Sequence, residues 1–176
     1  RIDHALHATN ARRALQDTVA FDNAIQTALD KMAKLDPGLK NTLIVVTADH
    51  DHTLHLNGYA ARTGKTEAGK PGVLGLVKDY VDTSKTSKDV DGKPYTIIGF
   101  GNGPRRLATR GDIDSTELES RDYRQEAVVP TDAASDSETH GGADVFLGAQ
   151  GMGAENFSGV ITNTDVFGLI RKAVGL

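Results

Sequence analysis

Thr42-Leu-Ile-Val-Val-Thr-Ala48, running straight into Asp49-His50-Asp51-His52, is a continuous apolar segment that ends on ligand-type side chains. An unbroken apolar run of this length predicts a strand buried on both faces, because a strand with one wet face alternates instead. The segment before it carries the other half of the pattern. Ile25, Ala28, Leu29 and Met32 fall at i, i+3, i+4 and i+7, which predicts one apolar stripe on a helix running from a cap at Asp17 or Thr18 to about Leu35. Asp36-Pro37-Gly38 ends that helix. Helix then buried strand predicts an α/β fold around a mostly parallel sheet.

Downstream, residues 59–138 change texture. Thr63-Gly-Lys-Thr-Glu-Ala-Gly-Lys-Pro71 and Thr83-Ser-Lys-Thr-Ser-Lys-Asp-Val-Asp-Gly92 are rich in Gly, Lys and Asp. Between them lie a strand candidate, Tyr95–Phe100, and a turn signal, Gly101-Asn102-Gly103-Pro104. This is read as a loop-rich insertion. Order resumes with a strand over Asp144–Ala149 and a helix over Thr164–Ala173, with Gly175 placed to end it.

The 176 residues suffice for a packed domain, and 38% hydrophobic with 25% charged residues excludes wholesale disorder. Zero cysteines exclude disulfides, thiolate zinc, iron–sulfur clusters and a cysteine nucleophile. No apolar run approaches the roughly 20 residues of a membrane span. A net charge of −4 argues against nucleic-acid binding by phosphate neutralisation, so an anionic substrate needs a local source of positive field. The chain opens on Arg1-Ile-Asp-His-Ala-Leu-His7 with no initiator Met or signal peptide, which predicts the later part of a longer protein.

Five of the six histidines sit in two windows, His4 and His7, then His50, His52 and His55; the sixth is His140 in Ser137-Glu-Thr-His-Gly-Gly142. Asp3 joins the first window, Asp49 and Asp51 the second. Imidazole and carboxylate are what zinc accepts when thiolate is absent. Asp3 and His7 share a helix face at i, i+4, although that pair alone reads better as a helix-start Asp beside a surface His. Asp49 and His50 follow the carboxyl end of a strand, where α/β proteins place ligands, and ion binding is the better reading there. Both can reach one ion only if the chain leaves the pleat at Asp49. With Asp3 and His7, His140 completes a His/His/Asp set with an open position. Asp114-Ser115 and Asp136-Ser137 are set aside as nucleophiles because neither lies on a strand-to-helix turn. Gly99-Phe-Gly-Asn-Gly103 lacks the Lys of a phosphate loop and reads as a turn. Arg105, Arg106, Arg121 and Arg124 read as solvated or interface charges.

The blocks Arg1–His7, Thr42–Leu54 and Glu138-Thr-His-Gly-Gly-Ala-Asp-Val145 together resemble the metal-site segments of alkaline phosphatases, in the same order. Leu56-Asn-Gly-Tyr59, Gly101–Pro104 and Tyr123-Arg-Gln-Glu-Ala-Val-Val-Pro-Thr131 are similar to that family's crown, so the likeness covers essentially the whole chain.

The resemblance implies that residues 1–176 are the C-terminal part of a three-layer α/β sandwich, with 59–138 a crown-like insertion. It implies hydrolysis of phosphate monoesters, releasing inorganic phosphate, at a two-zinc centre through a phosphoseryl intermediate. Asp3, His7 and His140 would hold the first zinc, and Asp49 and His50 the second. His52 would orient the Asp3 carboxylate, and His4 would face the phosphate pocket; Asp51 and His55 receive no role. The nucleophilic Ser, a phosphate-binding Arg, an Asp for the second zinc and the ligands of one magnesium ion would come from an N-terminal half, so these 176 residues alone should be inactive. A periplasmic or secreted homodimer is implied, its crown contact drawing on Tyr59, Tyr80, Tyr95, Phe100 and Tyr123 among the arginines. A phosphodiesterase or mutase of the same superfamily fits the insertion and the Thr-His-Gly-Gly block less well, and a non-catalytic zinc-binding or interaction module is the alternative of a different class.

Overall fold

The computed structural model describes residues 1–58, 60–65 and 69–176; Tyr59, where the insertion was expected to begin, and Thr66, Glu67 and Ala68 lie outside them. In chain order the elements are α1 (Ile2–His7), α2 (Ala11–Leu35), β1 (Leu43–Thr47), β2 (Asp51–His52), β3 (Leu54–Leu56), β4 (Gly64–Lys65), β5 (Pro71–Gly72), β6 (Ile98–Gly103), β7 (Ala127–Pro130), β8 (His140–Gly141), β9 (Leu147–Gly151) and α3 (Asn163–Ala173). The fold is mixed α/β with small sheets. Its residues form two compact units, 1–19 with 52–142 and 20–51 with 143–176.

The first unit is built on β6, which pairs antiparallel with β3 and parallel with β7. That register sets Phe100 opposite Leu54 on one side and Ala127 on the other, and Ala11, Ile98, Phe100 and Ala127 form its closed core. The turn expected at Gly101–Gly103 is instead the end of β6. Its glycines permit close approach of neighbours: a methyl on Gly103 would stand 2.6 Å from the Thr9 methyl, and one on Gly99 would stand 2.8 Å from His55 Nε2.

The cap expected at Asp17 or Thr18 is also corrected. Helix α2 starts at Ala11 because the Asn10 side chain accepts the Arg13 N–H at 3.0 Å and the Asn10 carbonyl accepts the Ala14 N–H. Thr18 lies inside the helix and donates its hydroxyl to the Ala14 carbonyl. Nor are the aromatics and arginines of 59–138 uniformly at the surface. Phe100 and Tyr123 are buried, and the Arg105 guanidinium lies 4.5 Å over the Tyr123 ring while donating to the Arg124 carbonyl. Burial pushes the Tyr123 phenol above its ordinary pKa. Arg110 ties the unit together by a paired contact with Glu126, an ion pair with Asp89 and a bond to the Pro94 carbonyl.

In the second unit β1 pairs antiparallel with β9, Leu43 opposite Gly151 and Thr47 opposite Leu147. The expected parallel neighbour is therefore not what this strand takes, and β1 is half-buried rather than buried on both faces. A continuous apolar run reports how much surface a strand offers for burial; it carries no direction for the partner. The later part of α2 keeps the expected stripe in part, with Ile25, Leu29 and Met32 half-buried and Ala28 exposed. Helix α3 ends as its sequence suggests: Gly175 sits at φ +74, its N–H donates to the Lys172 carbonyl, and the Leu176 N–H reaches back to Arg171.

Candidate metal centre

Helix α1 supplies the first candidate ligands. Asp3 and His7, one turn apart, bring Asp3 Oδ1 to 3.3 Å from His7 Nε2. The helix then closes at Ala8, and Thr9 takes a left-handed conformation, φ +51, that is uncommon for a β-branched residue. The Asn10 N–H returns to the Ala5 carbonyl across this corner, and the Thr9 carbonyl accepts the Gln125 N–H. The corner is thus held from both sides, which fixes the start of α2 relative to the Asp3/His7 face.

His140 arrives from the far end of the same unit. Its Nε2 lies 3.2 Å from His7 Nε2 and 3.6 Å from Asp3 Oδ1. Three atoms with edges of 3.2, 3.3 and 3.6 Å match one face of a zinc tetrahedron, since ligands at about 2.0–2.1 Å stand about 3.3–3.4 Å apart. Asn102 of β6 steadies the approach: its amide donates to Thr139 Oγ1 at 2.8 Å and accepts the Thr139 N–H at 3.0 Å.

His52 is buried beneath these groups, edge-on to the rings of both His7 and His140. Its Nε2 meets Asp3 Oδ1 at 3.1 Å, and its Nδ1 meets Glu138 Oε2 at 2.7 Å. His7, His52 and Glu138 also bring ligand atoms within 4.8 Å of one another. Glu138 is nevertheless a poor ion ligand, because its Oε1 already accepts both the N–H and the hydroxyl of Thr53 at 2.6 Å. The Asp3/His7/His140 triangle is the candidate ion-binding face.

Of the other expected residues, His4 is exposed, 3.9 Å from Asp3 Oδ2. In the second unit the chain leaves the pleat after Thr47 and bends at Asp49, the condition for Asp49 and His50 to share an ion. Their side chains approach to 3.6 Å, with Asp49 fully open to solvent. His55 lies over Gly99 in the β3–β6 ladder, a packing position. Ser137, set aside as a nucleophile, lies 3.2 Å from His7 Nδ1, and its hydroxyl donates to the Glu138 carbonyl.

Sequence reasoning missed Glu138, Thr53 and Asn102. Glu138 stands inside the Ser137–Gly142 motif, yet a Glu two residues before a His reads as a surface charge unless its burial is known. Asn102 reads as part of a turn signal.

A family profile described as alkaline phosphatase matches residues 1–176. A membrane-bound alkaline phosphatase from Bombyx mori is 34% identical over 167 residues, which cover 94% of this chain and 27% of that protein. An alkaline phosphatase from Gadus morhua is 34% identical over 163 residues, 91% of this chain and 29% of that protein. The tissue-nonspecific isozyme from Gallus gallus is 35% identical over 163 residues, 91% and 27% respectively. The chain thus spans less than a third of the length of these curated relatives.

Proposed function

The chain belongs to the alkaline phosphatase family, and from that premise we propose that Asp3, His7 and His140 hold one zinc ion of a centre that hydrolyses phosphate monoesters. The observation that carries this reading is the triangle of Asp3 Oδ1, His7 Nε2 and His140 Nε2. A zinc ion there supplies Lewis acidity and local positive charge for a dianionic ester, in a chain of net charge −4. The chain's own residues prepare the place. His52 fixes the Asp3 carboxylate, Asn102 holds the segment that delivers His140, and His4 is free to turn toward a bound phosphate. Asp49 and His50 contribute to a second zinc.

In this reading the remaining parts come from outside the 176 residues: the nucleophilic Ser that forms a phosphoseryl intermediate, a phosphate-binding Arg, a third ligand of the second zinc and the magnesium ligands. The whole protein is then a three-layer sandwich that binds phosphate monoesters and inorganic phosphate, dimerises through a crown within 59–138, and works in the periplasm or after secretion. No described helix is long and apolar enough to cross a membrane.

The test is bound zinc and aryl phosphate turnover in the full-length protein. His7→Ala and His140→Ala should each lose about one zinc per chain and nearly all activity. Unchanged zinc in both overturns the assignment, and turnover by the 176 residues alone would put the nucleophile inside them.

A further inference from the structure

Glu138 is the one acidic residue among the described buried residues, its side chain wholly shielded. A buried carboxylate is costly unless its oxygens are satisfied, and these are: Thr53 gives Oε1 two donors, and His52 Nδ1 faces Oε2. The backbone of the same residue grips His7. The Glu138 carbonyl lies 2.6 Å from His7 Nδ1, and its N–H donates to the His7 carbonyl at 2.8 Å. Carbonyl and carboxylate oxygens only accept, so Nδ1 of both rings must donate. His7 then turns Nε2 toward Asp3 at 3.3 Å, and His52 Nε2, 3.1 Å from a carboxylate oxygen that also only accepts, donates as well.

We propose that Glu138 is the positioning residue of this centre, setting the ring orientation of His7 through its carbonyl and of His52 through its carboxylate. Without those acceptors either ring could turn over and put a carbon where a nitrogen now stands. The proposal rests on the reading of Asp3, His7 and His140 as zinc ligands. It goes beyond that reading by assigning the orientation of two rings, 131 and 86 residues away in sequence, to one residue.

Glu138→Gln in the full-length protein keeps the side chain's size and an acceptor for Thr53 but turns a donor toward His52. Zinc affinity, measured by chelator competition, should fall by about 10–100-fold while the metal-free protein stays folded. If Glu138 acts through His52, the penalty should vanish when His52→Ala is already present. A penalty of equal size in both backgrounds, or unchanged affinity with a lowered metal-free melting temperature, overturns the proposal.

Should Glu138→Gln fail to fold, the metal-free parent labelled with 15N-histidine decides. His7 and His52 should both carry a proton on Nδ1, and a bare Nδ1 on either overturns the proposal. A parent that binds no zinc refutes the functional reading, and the ring measurement, made without metal, still judges Glu138 by itself.

Discussion

Residues 1–19 with 52–142 bury Ile98, Phe100, Leu118 and Ala127 almost completely, and with them Thr9, His52, Gln125 and Glu138. Residues 20–51 with 143–176 bury only Leu39 and Phe157 among their described apolar side chains, and leave Phe146, Val160 and Phe167 between 70% and 93% exposed. The two units therefore present their ligand-type side chains differently. In the first, a closed core supports a polar layer in which His7, His52 and His140 each have a named partner. In the second, Asp49 and His50 sit on an exposed bend past the end of β1. Packing is what turns a cluster of ligand-type residues into a set of aimed atoms.

The largest expected effect tests that contrast directly. Phe100→Ala should destabilise the chain by about 3–5 kcal/mol, because Phe100 is 0% exposed and the cavity cannot fill. Phe146→Ala, at 82% exposed, should stay within about 0.5 kcal/mol. Equal costs in denaturant titrations would erase the distinction between the units.

Helix ends should give smaller, matched effects. Asn10→Ala removes the α2 cap in the first unit and should cost about 1 kcal/mol. Gly175→Ala, at φ +74 in the second, should cost about 1 kcal/mol because alanine adopts that conformation poorly. Only Asn10→Ala should also weaken zinc binding, since α2 begins at the corner that carries the Asp3/His7 face.

The smallest effect is one of pH. The Lys93 N–H first, then Arg110, hold the Asp89 carboxyl below its usual range. A depressed folded pKa stabilises the protein above the unfolded value, about 3.9, and that contribution disappears as pH falls through the folded value. Asp89→Asn should therefore lower the melting temperature at neutral pH, and the gap from the parent should close below about pH 4. Asp36 in the second unit is lowered chiefly by the Asn41 N–H, with further help from Thr42, Lys40 and the Asn41 side chain. Its Asn variant should follow the same pH course but, lacking an arginine partner in that set, respond less to salt. A wider Asp89→Asn gap in acid would reverse the sign argued here.

Local rules made part of this protein legible from sequence. The end of α2 at Asp36-Pro37-Gly38, the close of α3 at Gly175 and the i, i+4 pairing of Asp3 with His7 all follow from contacts within a few residues, which sequence spacing fixes. The candidate ligands were legible because histidine and aspartate declare their chemistry by type. Partners distant in sequence were not. The antiparallel direction of β9 against β1, the extension of β6 through Gly101-Asn102-Gly103, the cap at Asn10 and the burial of Glu138 under His7 and His52 each depend on where the chain returns after many residues. Residue type determined that a set of ligand-type side chains was available, because charge and ligand chemistry are carried by the side chain itself. Only the tertiary structure decided which nitrogen faces which oxygen, because hydrogen-bond direction exists only between groups already held in place.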